Sequence, residues 1–335
     1  MVSARMTTQS TPPQTLPQSF RKVLPLAKSH GTEIMKGYFF VAITTLLWGI
    51  QPFFMKLALL QYSAMSVSWF RLTFAGIISW FLLSASKRTP LQAIRALPWS
   101  VWIAGFGLAL NYYTFLEGVR HGGPAFAAVI IQVGPLALAL IGVLYYQETL
   151  SKIQTVGVLL ALSGFSLFYW DRLNTASSPE SIPTALIFLL VGASLWVLYC
   201  IVQKELSRAH DSQVINLAVY GASGLFLVLF VAWQEFSRPF SLPSAAVVYL
   251  TFSTLVAYGC LAESLKRLPL SQVTCVIICN PFITLIGVEV CDALHIPWAI
   301  EGVISPFGYL GAGLALFGVS LAVVFKRASV KSHEN

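Results

Sequence analysis

The chain has 335 residues, of which 56% are hydrophobic and 10% charged, with a net charge of +8 and a mean hydropathy of +0.74. A soluble domain carries about 25% charged residues, so soluble enzymes and compact nucleic-acid-binding domains are excluded as classes. The basic residues lie between apolar runs rather than along one stripe, which is the pattern of topology signals and not of a nucleic-acid footprint.

Residues 1–35 are rich in Ser, Thr, Gln and Pro, carry Arg5, Arg21, Lys22 and Lys28, and have no apolar run after Arg5. They read as a disordered basic cytoplasmic tail rather than a cleaved signal. Apolar runs then recur at about 36–59, 66–84, 98–118, 123–146, 152–170, 183–203, 212–234, 243–265, 270–290 and 303–325. Each is long enough to cross a hydrocarbon core of about 30 Å. The expected fold is an all-α polytopic membrane protein of ten transmembrane helices, with 326–335 as a second cytoplasmic tail. Ten spans place both termini on one side. Sixteen Lys and Arg fall on the side of the termini, against Arg120, Arg172 and Arg238 on the other. This count predicts cytoplasmic termini, and the cell inner membrane is the expected location. Cys200, Cys260, Cys275, Cys279 and Cys291 lie in or beside spans without a CxxC, so they read as packing residues. No metal, cofactor or disulfide is expected.

The chain repeats itself. EGVRHGGPAFAAVIIQVGP at 117–135 and ESLKRLPLSQVTCVIICNP at 263–281 share a glutamate, a basic residue three positions on, and a terminal proline in register. Leu47-Trp48 followed by Lys56 matches Leu195-Trp196 followed by Lys204, Tyr112 matches Tyr258, and GVLLALSGFSL at 157–167 matches GAGLALFGVSL at 311–321. Two halves, 36–170 and 183–325, are therefore expected, joined by a polar linker at 171–182. Five spans per half is an odd number, so the second half enters the membrane from the opposite side. Inverted repeats characterise secondary transporters, whose binding site lies near the midplane between the halves.

Leu47-Trp48-Gly49 followed by Lys56, Arg71 early in the second span, and Pro135, Glu148, Thr149, Leu150, Gly157 and Gly164 closing the first half resemble the EamA-type transporters of the drug/metabolite transporter superfamily. The resemblance covers nearly everything after residue 35. It implies transport of amino acids or other small metabolites, with export favoured over import, and names no particular substrate. The second half departs from the pattern between Pro281 and Glu301, where a longer stretch carries Asp292 and His295. An extra outer loop or a re-entrant turn is expected there.

Midspan polar groups need partners in hydrocarbon and should point inward. The cavity-lining candidates are Trp48, Gln51, Asn111 and Tyr112 from one half, and Trp196, Tyr199, Tyr258 and Asn280 from the other. Aromatic bodies with amide and hydroxyl tips suit a small amphipathic metabolite. Pro135 and Pro281 each free the carbonyl four residues back, and read either as packing kinks or as hinges that open backbone groups toward the cavity. Lys56, Arg71 and Glu117 fall near the outer ends of their spans, and Lys204 and Glu263 near inner ends. Either Lys56–Glu117, with Arg71, and Lys204–Glu263 latch opposite faces alternately, or these charges simply snorkel to the interface. Proton coupling through Glu117 or Glu263 is a third use. Gly157-x3-Ala161 and Gly311-x3-Ala315 are small-residue faces suited to close packing or to a homodimer interface. There is no Walker-type loop, HExxH or Ser/His/Asp set at plausible depth, so neither an ATP motor nor an intramembrane enzyme is expected. A non-transporting receptor or scaffold, and a channel, are the competing readings. The expected partners are a small-molecule substrate and the lipid bilayer.

Overall fold

The computed structural model describes residues 18–86, 89–146, 151–299 and 302–324. Its helices, in order, are α1 (Gln18–Ala58), α2 (Ala64–Ala85), α3 (Pro90–Arg95), α4 (Ser100–Ile130), α5 (Val133–Tyr146), α6 (Lys152–Thr175), α7 (Ile182–Leu206), α8 (Ser212–Leu227), α9 (Leu242–Leu265), α10 (Leu270–Ile277), α11 (Asn280–Ala293) and α12 (Pro306–Val324). Eight candidate membrane spans are long and apolar enough among the described residues: α1 from Glu33, α2, α6, α7, α8 with the 3-10 turn after it, α9, α10 with α11, and α12. The chain is thus a multi-pass, all-helical membrane protein.

The expected third and fourth spans, on α4 and α5, are not among those eight. Asn111, Glu117, Arg120 and His121 dilute the apolar character of α4, and α5 has 14 residues. The turn between these two spans is compressed into a single residue. Gly123 takes φ 79° and ψ 171°, a region that only glycine enters readily. Pro124 follows in the first helical position, where its missing N–H costs no bond.

Several boundaries differ from expectation. Helix α1 begins at Gln18, so the segment read as a disordered tail is helical from that point. Helix α6 runs on to Thr175, with the 3-10 turn 179–181 before α7, so the linker begins later than residue 171. Helix α8 stops at Leu227 and is followed by two 3-10 turns. The long stretch after Pro281 extends α11 to Ala293 and then forms a loop, with His295 at φ 51°. Residues 1–17, the tail from 325 on, Glu148, Thr149, Leu150 and Glu301 lie outside the described residues.

Side-chain caps set three helix starts, those of α2, α6 and α8. Ser63 accepts from the Ser66 N–H, Asp211 from the Gln213 N–H, and Ser151 with Gln154 forms a reciprocal capping box at the head of α6. Each cap satisfies backbone donors that hydrocarbon could not.

The packing pairs elements across the halves. Helix α1 lies along α9, α4 along α7, α2 along α8, and α6 along α12. The α6–α12 contact is antiparallel: a Cβ on Gly157 would lie 2.8 Å from the Gly318 carbonyl oxygen, and one on Gly164 2.7 Å from that of Gly311. Ala161 and Ala315 are both fully buried there. The small-residue faces that could have served a homodimer are therefore spent on each other within one chain, because only hydrogen at Cα permits so close an approach.

Candidate functional site

A cavity of about 170 Å³ opens between the two halves, room for a small organic molecule rather than a single water. Seven of the eight residues read as cavity-lining reach its wall: Trp48, Gln51, Asn111, Tyr112, Trp196, Tyr258 and Asn280. Tyr199 does not. It is buried in the apolar cluster behind the wall, with Tyr112 and Tyr220.

The wall is braced by hydrogen bonds across helices. Asn111 on α4 donates from Nδ2 to the Gly192 carbonyl of α7 at 2.9 Å, and Thr44 on α1 donates to the Ala257 carbonyl of α9 at 3.0 Å. Gln51 reaches Ser253 at 3.3 Å. Trp48 meets Tyr258 edge-on, with ring centroids 5.6 Å apart, the geometry that ring quadrupoles favour. Thr284 of α11 donates to the Gly49 carbonyl at 2.7 Å and holds α11 against α1.

The two prolines start helices. The α4 helix ends at Ile130 and α5 starts at Val133, with Pro135 in its first turn. In the same way α10 ends at Ile277 and α11 starts at Asn280, with Pro281 next. A proline in a first turn removes no intrahelical bond. Pro135, Ile131, Ile277 and Asn280 face the cavity, while Pro281 is buried in packing.

Arg71 lies in the cavity wall. It is 1% exposed. Its Nη2 donates to Thr254 at 3.0 Å, and its guanidinium carbon lies 4.7 Å from the Tyr112 ring centroid, a cation–π contact. Nε and Nη1 have no hydrogen-bond partner. A cation at bilayer depth costs about 2.5–3.5 kcal/mol on insertion scales and marks functional positions. Gln132 is a further lining residue, absent from the sequence-derived set, and its buried Nε2 also lacks a partner. Its position, three residues before Pro135 in an apolar run, was the available signal.

The structure does not bring the expected latch partners together. Glu117 pairs with Arg120 at 3.5 Å and with His121 at 3.7 Å, both one turn along its own helix. Glu263 pairs with Lys266 at 2.6 Å and with Arg267. No ion pair joins Lys56 to Glu117 or Lys204 to Glu263 among the described residues. Local geometry explains this, since i+3 and i+4 partners are already in reach. Lys56 and Lys204 each sit in the last turn of a helix, where the helix dipole favours a cation. Arg267 also reaches Glu33 at 3.0 Å and so ties the start of the α1 span to the end of α9. The Glu263 hydrogen bond first, and Glu33 with it, hold the Arg267 guanidinium above its ordinary pKa.

Apolar helices packed around a central cavity, its largely apolar wall set with amide groups and one guanidinium, define a multi-pass membrane protein with an internal chamber. The sequence matches the EamA-like transporter family over residues 35–170 and again over 183–324. The chain belongs to that family. It is 28% identical over 292 residues to an uncharacterized transporter of Haemophilus influenzae, covering 86% of this chain and 94% of that one. It is 27% identical over 298 residues to the uncharacterized inner membrane transporter YhbE of Escherichia coli K12, covering 87% and 92%. A shorter match, 26% over 137 residues, covers 40% of this chain and 47% of the aromatic amino acid exporter YddG of Ancylobacter novellus. A solved crystal structure superposes with a TM-score of 0.58 at 18% identity, covering 88% of this chain and 98% of the other, and shares the fold.

Proposed function

We propose that the protein is a secondary transporter that moves a small organic metabolite, an amino acid or related compound, across the cytoplasmic membrane by alternating access. One observation carries this reading: the cavity is walled by matching residues of both halves, Trp48 and Tyr112 from one, Trp196 and Tyr258 from the other. A site shared between repeats can be exposed to either face by rocking one half against the other.

The proposal includes ten spans in two inverted halves, 36–170 and 183–325, with both termini cytoplasmic. Four contacts support the inversion. Gly157 meets Gly318 and Gly164 meets Gly311, so corresponding glycines of one repeated segment are exchanged across an antiparallel crossing. Asn111 and Ala257 each lie six residues before a repeat glutamate, and Thr44 and Gly192 each lie four before a repeat tryptophan. The bonds Asn111–Gly192 and Thr44–Ala257 therefore join equivalent positions in reverse order. The exporter named for aromatic amino acids favours efflux and an amphipathic substrate. Its partial coverage leaves the substrate class to be measured.

The test is flux in proteoliposomes containing the full chain, loaded with a metabolite mixture and read by mass spectrometry with and without a pH gradient. Saturable, counterflow-competent movement of a solute is expected, and acceleration by the gradient would show proton coupling. Leak that never saturates would indicate a channel, and the absence of any flux a receptor or scaffold.

A further inference from the structure

Arg71 is the charged side chain among the described residues that line the cavity, and no carboxylate among them faces it. Its bond to Thr254 and its contact with Tyr112 are to neutral groups, and Nε and Nη1 remain unpartnered inside a residue that is 1% exposed. A buried cation is favoured by an opposite charge within a few ångströms and disfavoured by a like one, and both effects strengthen as water is excluded. With no counter-charge among the described residues of the wall, a solute that brings one is favoured.

We propose that the cavity takes a monoanionic organic carboxylate with an apolar or aromatic tail, its carboxylate on Arg71, in preference to a zwitterion or a cation. The inference rests on the cavity being the transport site. Within that reading it sets the free amino acid aside and narrows the related compounds to carboxylates whose amine is absent or acylated. A monoanion neutralises Arg71. A zwitterion brings an ammonium group as well, for which the wall offers amide oxygens and ring faces in place of a carboxylate, and a cation adds a second positive charge to an uncompensated one. Gln132 contributes another unpartnered buried donor, while Trp48, Trp196 and Phe115 give the tail flat apolar surface. Guanidinium suits this task better than ammonium, because its planar fork matches a carboxylate and it is less strongly hydrated.

The probes are 3-phenylpropionate, phenylalanine and phenethylamine, which share one tail and differ in the charged head. Binding to the full-length protein in detergent is read by tryptophan fluorescence, and flux in proteoliposomes is measured alongside. The expected order is 3-phenylpropionate tightest by about tenfold or more, then phenylalanine, then phenethylamine. Arg71→Gln should weaken 3-phenylpropionate roughly ten- to hundredfold and, by removing the like charge, tighten phenethylamine rather than weaken it. Arg71→Lys should keep the order at lower affinity. Equal binding of the three, preference for the zwitterion or the cation, no binding of any, or undiminished anion binding by Arg71→Gln overturns the proposal. The order on the native chain decides the matter even where a variant fails to fold. Binding in the expected order without flux would overturn the transporter reading and leave the anion site standing. Flux without that order would do the reverse.

Discussion

Gly49 sits one residue from the cavity wall, at a point where α1 touches α11 closely. A Cβ there would lie 2.6 Å from the Ile283 Cβ and 2.8 Å from the Asn280 carbonyl oxygen. Both obstacles are close to or part of the backbone, so a methyl group must push the helices apart. Gly49→Ala should cost about 1–3 kcal/mol, the usual range for overpacking. At Gly259 a Cβ would meet nothing within 4 Å, and alanine there should be neutral or gain up to ~1 kcal/mol of helix propensity. Thermal unfolding of the two variants in detergent compares them directly, and equal midpoints would mean that α1 and α11 are not in contact. Charged residues give a second test. A double-mutant cycle between Glu117 and Arg120 should show about 0.2–0.5 kcal/mol of coupling, and one between Glu117 and Lys56 none. Coupling above ~1 kcal/mol in the second cycle would restore the latch. The cavity wall could be read from sequence because polar groups in mid-span have nowhere else to point. The ion pairs could not, because a glutamate at a helix end has partners on its own turn that compete with any across the bundle. Counting residues from a span end puts Arg71 near a gate, whereas its burial depends on how α2 leans against α4 and α9.

The firmest element is the crossing of α6 and α12, whose glycines leave no room for side chains. A Cβ on Gly164 would lie 2.2 Å from the Ala315 backbone nitrogen. Backbone on both sides cannot yield as a side chain could. Gly164→Leu should separate the pair and abolish a monodisperse peak in size-exclusion chromatography, with a loss of about 3 kcal/mol or more. A substitution on the outward face of the same helix, Leu159→Ala, where Leu159 is 61% exposed, should leave elution unchanged. If Gly164→Leu elutes like the native chain, the two helices do not meet there. Sequence identified both segments as packing elements but not as each other's partner, since a small-residue face reports a close neighbour without naming it. The broken helices follow the same logic. Proline marked each interruption, but the break falls two to four residues earlier, where the preceding helix loses its donors, and Gly123 took the inter-span turn into a single residue.

For the whole molecule, the question is whether the cavity sees one face of the membrane or both. Helices α1 and α7 bring Trp48 and Trp196 to the same chamber from opposite halves, so a conformation that opens one side should close the other if the halves rock as units. Single cysteines at these two positions, in a chain whose five native cysteines are replaced by serine or alanine, report access to a membrane-impermeant thiol reagent. Alternating access predicts that each position is labelled from one face at a time. A bound substrate that favours one state should raise labelling from that face and lower it from the other. A ligand can redistribute the two states only by its differential affinity for them, so a shift from 1:99 to 99:1 needs a preference of about 10⁴-fold. A weaker ligand should move labelling partway, in proportion. Simultaneous labelling from both faces would make the cavity part of a channel, and protection from both would leave it a buried chamber with no route. The same cysteines give the sidedness of the ends: Cys reporters in the 176–178 linker and beyond residue 325 should label from opposite faces if the termini are cytoplasmic. Labelling of both from one face would remove the odd number of crossings per half on which the inversion depends.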